Sequence, residues 1–153
     1  MFYFSVIKMD IRLFTGFFQL YSYWEVLVIM SVSAVVVNSF YSIFSKKTFN
    51  FLDLRITLFT LIFNYIYFVI GVFVYSTNLF LINWNPEYKI MINQNNILFD
   101  LYIHLINLFV LILLTIGWSI HKKSSTNYKK FFRLFASYFL GLIILIGKYQ
   151  WLN

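Results

Sequence analysis

The stretch "FDLYIHLINLFVLILLTIGWSI", Phe99–Ile120, decides which solvent this chain folds in. As a helix rising about 1.5 Å per residue, it is long enough to cross the roughly 30 Å hydrocarbon core of a bilayer. Near neutral pH its only ionisable groups are Asp100 and His104, both in its first two turns. Three other runs are similar. "YWEVLVIMSVSAVVVNSFYSIF", Tyr23–Phe44, is introduced by the interfacial aromatics Tyr21, Tyr23 and Trp24 and stopped by Lys46 and Lys47. Ile56–Ile82 is closed by Trp84 and by Pro86, the only proline. The fourth run, about Phe131–Tyr149, is the shortest; Arg133 and Lys148 lie near its ends, where long side chains snorkel to the headgroups.

Composition agrees with a lipid solvent. Of 153 residues 61% are hydrophobic and 11% charged, against roughly a quarter charged in soluble domains. The fold class expected is all-α: a polytopic membrane protein of about four transmembrane helices with an N-terminal amphipathic helix. The expected organisation is residues 1–22 as an interfacial helix and 23–153 as a four-helix transmembrane domain, with spans at about 23–44, 56–82, 97–120 and 131–149. The first segment is assigned by its pattern. Phe4, Ile7, Ile11, Phe14, Phe18 and Tyr21 recur at three-and-four spacing beside a polar stripe that includes Lys8, Arg12 and Gln19, so this helix should lie in the interface plane or on a partner. Lys8, Asp10 and Arg12 interrupt any signal-peptide core, so the N-terminus is expected to be retained.

The net charge of +7 is a topology signal. Lys46, Lys47, Arg55, Lys122, Lys123, Lys129, Lys130 and Arg133 lie between or beside paired spans, whereas Lys8, Arg12, Lys89 and Lys148 fall at the other ends. The positive-inside rule puts the two basic loops in the matrix or cytoplasm, and both termini and the 83–96 loop outside. Basic residues spread through such loops argue against nucleic acid as a partner. Zero cysteines remove disulfides, thiolate metal sites and cysteine nucleophiles.

Each span carries one polar or small stripe at helical spacing: Ser31, Ala34, Asn38, Ser42 and Ser45; then Thr57, Thr60, Asn64, Tyr67, Gly71, Tyr75 and Asn78; then Asp100, His104, Asn107, Thr115 and Trp118; then Arg133, Ser137, Gly141 and Lys148. Helices in lipid associate by close packing of small residues and by interhelical hydrogen bonds, so the stripes read first as packing faces. Ionisable residues in the membrane are costly and mark function. Glu25, Asp100, His104 and Lys148 all fall near the outer interface and form a candidate polar cluster, read either as a proton uptake or release site or as an ion pair of Lys148 with Glu25 or Asp100. In the second case His104 is expected to bond a carbonyl or Asn107 and to hold no metal.

No catalytic, cofactor-binding or metal site is assigned, and no cofactor is expected. His104 and His121 are 17 residues apart, about 25 Å along a helix, so one chain cannot supply both axial ligands of a haem. There is no phosphate loop or nucleophile elbow, and Glu25, Asp53, Glu87 and Asp100 are too scattered for a two-carboxylate metal site.

Two resemblances add expectations. The chain holds 20 Phe and 12 Tyr, but its only alanines are Ala34 and Ala136. This dominance of residues with AT-rich codons resembles the membrane proteins encoded in protist mitochondrial genomes, ciliate ones particularly, most of which are respiratory-chain subunits. "IHLINLFVLILL", "STNYKK" and "SYFLGLIILIGKYQWLN" are also similar in layout to the last two helices of cytochrome c oxidase subunit III. That family's glutamate before the last helix and its Trp-His-Phe-x-Asp run have no counterpart, Arg133 and "SYFLG" standing there instead. The glutamates carried mid-helix by antiporter-like subunits of complex I are absent too.

The resemblances imply a non-catalytic integral subunit of an oxidative-phosphorylation complex in the mitochondrial inner membrane, with both termini on the intermembrane-space side. The bacterial plasma membrane is the alternative. The expected partners are other membrane subunits of a large hetero-oligomeric complex, and lipid, cardiolipin among the candidates, at the basic loops. Alternative functions are a proton-translocating or redox-active subunit using His104, Asp100 and Glu25, or a small transporter or channel, although no glycine- or proline-broken helix marks a transport site.

Overall fold

A computed structural model describes residues 2–84, 94–123 and 126–151, with side-chain environments for Gly16, 19–80, 101–123 and 126–148. Four helices account for nearly all of it: α1 (Phe2–Phe44), α2 (Phe51–Trp84), α3 (Gln94–Lys122) and α4 (Asn127–Trp151). Each contains a stretch long and apolar enough to cross a membrane: Gln19–Phe44, Phe51–Phe80, Leu101–Lys122 and Asn127–Lys148. The chain is an all-helical membrane protein. Large apolar side chains such as Met30, Val37, Phe59, Val69, Phe109 and Ile146 point outward, each at least half exposed. This is the outward face of a protein solvated by hydrocarbon.

The helices form a ring in which α1 packs on α2, α2 on α3, α3 on α4 and α4 back on α1. Diagonal helices reach one another through side chains, as Asn107 of α3 does to Tyr21 of α1 and Tyr138 of α4 to the Thr57 carbonyl of α2. The inward residues explain the arrangement. They are Tyr21, Glu25, Val28, Val32, Val35, Ser39 and Ser42 on α1, and Asp53, Thr57, Thr60, Asn64, Tyr67, Gly71 and Val74 on α2. On α3 they are Ile103, Asn107, Val110, Leu114, Gly117 and His121, and on α4 Phe131, Leu134, Tyr138, Gly141, Leu145 and Lys148. The steps alternate between three and four residues in every helix. A sustained 3.5-residue repeat keeps one seam inward only if the helices wind around one another left-handedly.

The α1–α2 connection is built from recognisable caps. Lys46 adopts φ 50°, and Lys47 N–H reaches back to the Ser42 carbonyl at 3.2 Å, the six-to-one bond of a Schellman motif, here with lysine where glycine is usual. Six residues after the end of α1, Asn50 caps α2: its Oδ1 accepts the Asp53 N–H at 3.0 Å while Asp53 Oδ2 accepts the Asn50 N–H at 3.0 Å. This is a reciprocal capping box, and it starts α2 at Phe51 rather than near Ile56.

α1 runs without interruption from Phe2 into the first span. The side chains of most of its amphipathic stripe, Phe4 to Phe18, lie outside the described residues. Tyr21 is within them. Expected as an interfacial aromatic, it is instead buried in the bundle, because its ring stacks on Tyr67 of α2 at a centroid distance of 4.7 Å and an interplanar angle of 8°.

Candidate functional site

The largest concentration of embedded polar groups centres on Lys148, whose side chain has no solvent exposure. An ammonium has three N–H donors, and among the described residues three acceptors surround this one. Glu25 Oε1 of α1 lies 2.6 Å away, Tyr67 Oη of α2 3.0 Å and Asn107 Oδ1 of α3 3.2 Å. All four helices therefore converge on a single nitrogen. Asn107 continues the network: its Nδ2 donates to Tyr21 Oη at 2.9 Å and to Tyr67 Oη at 3.3 Å. Heptad spacing aims these side chains inward, since Glu25, Tyr67, Asn107 and Lys148 all occupy seam positions of their helices.

This geometry answers the desolvation problem of a charge in the membrane. A buried ammonium is tolerated only if its counter-ion is close and its remaining protons find acceptors. Both conditions hold. Tyr67 contributes twice, through its hydroxyl and through its ring, with the ammonium 5.4 Å from the centroid.

Of the four residues expected to cluster, Glu25 and Lys148 form the ion pair. The side chain of Asp100 lies outside the described residues. His104 stands at the margin, its ring 5.9 Å from that of Tyr21 and 5.3 Å from that of Tyr75. The expected hydrogen bond from His104 to a carbonyl or to Asn107 is not what Nδ1 makes. That atom is buried with no hydrogen-bonding partner among the described residues, because Asn107 is committed to Lys148 and the two tyrosines. Gly71 makes room for the imidazole: a Cβ there would stand 2.9 Å from the Tyr21 ring and 3.0 Å from His104.

A second polar centre, not anticipated as a site, lies at the opposite, basic end. Asp53, 1% exposed, accepts from Asn38 Nδ2 and Lys47 Nζ, both at 2.9 Å, in addition to capping α2. The pattern Asn50-x-x-Asp53 is the signal that reveals it, a variant of the capping box. Nearby, His121 is buried and its Nδ1 donates to the Trp118 carbonyl. Its ring packs between Phe49 and Trp118, at 5.4 and 4.7 Å. The two histidines thus sit in separate surroundings. Among the described residues no three His, Asp or Glu side chains gather as metal ligands would.

Between the two centres the interior is sewn by hydrogen bonds from small polar residues. Thr60 donates to the Ser31 carbonyl at 3.2 Å, tying α2 to α1, and Tyr138 donates to the Thr57 carbonyl at 3.3 Å, tying α4 to α2. Arg133 caps α3, its Nη1 donating to the Ile120 carbonyl at 3.1 Å. No protein family model, characterised protein or solved structure matches this chain.

Proposed function

We propose that the chain is a non-catalytic integral membrane subunit of a mitochondrial oxidative-phosphorylation complex, a scaffold whose outer surface meets partner helices and lipid. The observation that carries the scaffold reading is the convergence of Glu25, Tyr67 and Asn107 on Lys148 from the three other helices. An embedded charge bonded to side chains of the three other helices ties all four helices to one another, as a structural element would. The membrane and the complex are argued from the residue usage described above, with its many Phe and Tyr and few Ala.

The test is isolation of the native protein in mild detergent, with identification of what accompanies it. Comigration with respiratory-chain subunits through two orthogonal separations is the expected result. Recovery as a lone chain at full yield would contradict the proposal.

One observation favours a second reading, a subunit that moves protons: the unpartnered Nδ1 of His104 beside the Lys148 network. If His104 relays protons, His104→Phe abolishes turnover in a complex that still assembles. If it packs, turnover per assembled complex is unchanged.

A further inference from the structure

At the basic end of the bundle a cleft of about 360 Å³ opens where the α1–α2 connection meets the end of α3 and the start of α4. Phe49, Phe51 and Leu54 form its apolar wall, and Lys122 and Lys130 stand at its rim. We infer that this cleft binds the phosphodiester headgroup of an anionic phospholipid, with the two ammonium groups on the phosphate and the acyl chains running down the outer face of α2.

Charge, position and shape support this. The basic end carries Lys46, Lys47, Arg55, Lys122, Lys123, Lys129, Lys130 and Arg133 against one acid, Asp53. Asp53 is buried and already bonded to Lys47. Among the described residues neither Lys122 nor Lys130 meets a carboxylate; their ammonium groups rest over the Trp118 and Phe49 rings, at 4.8 and 5.5 Å. Anionic headgroups are attracted to such juxtamembrane lysines.

Position selects a lipid over a soluble anion. Lys122 is the last residue of the third span, and Lys130 lies in the first turn of the helix that begins the fourth, so both are at headgroup level. Below them Phe51, Leu58 and Ile62 face outward along one side of α2, an apolar track for an acyl chain that a free phosphate would not use. The volume is at the small end for ligand sites, enough for a headgroup with the chains left outside. The cleft is formed by this chain alone, so lipid binding there does not depend on the protein being a respiratory subunit.

The experiment uses the purified full chain equilibrated with vesicles of equal dioleoyl phosphatidylglycerol and dioleoyl phosphatidylcholine, re-extracted in mild detergent, with retained lipid counted per chain. The phosphatidylglycerol should be enriched about tenfold or more. Lys122→Gln with Lys130→Gln should bring the enrichment close to unity. Lys123→Gln with Lys129→Gln, which removes the same charge outside the cleft, should preserve it. Lys130→Glu, a single exchange on the first turn of α4, where a carboxylate favours the helix, provides an independent variant expected to lose the enrichment while keeping the fold. Equal loss in the control pair, or no enrichment in the unaltered chain, would overturn the inference. Displacement of the lipid by inorganic phosphate would also overturn it and assign the cleft to a free anion.

Discussion

Lys148 and Glu25 are the residues on which the interior depends most, because among the described residues each is the other's counter-ion. Truncating one partner of a buried ion pair costs about 3–5 kcal/mol, whereas replacing both with apolar or neutral groups of similar volume is far milder. Lys148→Met is therefore expected to destabilise the bundle by several kcal/mol in denaturant titrations of the detergent-solubilised chain, and Glu25→Gln added to it should recover most of the loss. His104 should behave in the opposite way. Its buried Nδ1 has no partner among the described residues and its neighbours are aromatic, so His104→Phe should change stability by no more than about 1 kcal/mol. Much of this site was legible in the sequence: the topology alone placed Glu25 and Lys148 at one end, and Tyr67 and Asn107 stood in the polar stripes. Tyr21 was not, because an aromatic ahead of a span reads equally well as an interfacial anchor. Only its stacking on Tyr67, a contact between residues far apart in the chain, puts it inside.

At the scale of the helices, the difference between expectation and structure lies in the phase of the inward face. On α1 the stripe Ser31, Ala34 and Asn38 stands one residue off the inward seam of Val32, Val35 and Ser39 and joins it only at Ser42, which is why Ala34 is exposed while Val32 and Val35 are buried. On α2 the polar residues follow the 3.5-residue seam from Thr57 to Gly71, and there the two readings coincide. The inward phase is set by how the helices pack, and residue type reported it only where polar residues happened to occupy the seam. The α3–α4 contact is the closest test of this packing. A Cβ on Gly117 would collide with the Ser137 side chain, and one on Gly141 would press on Leu114 at 3.1 Å. Gly117→Val should destabilise by about 1–3 kcal/mol. Gly16→Val is the control, since nothing stands within 4 Å of a Cβ there. Equal tolerance of both substitutions would show that α3 and α4 are not apposed through Gly117.

For the molecule as a whole, orientation follows from charge. Eight of the twelve Lys and Arg residues lie in or beside the 45–55 and 121–133 connections, so these should face the matrix or cytoplasm. The chain has no cysteine, so single cysteines introduced at Ser124 and Asn95 report without background. They should react with impermeant maleimide from opposite sides, and labelling from one side would refute the four-span topology.

Whether the embedded polar network locks the structure of a scaffold subunit is best decided in the native membrane. Chains carrying Lys148→Met, alone and with Glu25→Gln, would be compared for the amount of assembled respiratory complex and for electron-transfer turnover per assembled complex. The single substitution is expected to lower assembly and the pair to restore it, with turnover per assembled complex constant throughout. Full assembly with lost turnover in the paired variant would contradict it and make the Lys148 network part of the chemistry.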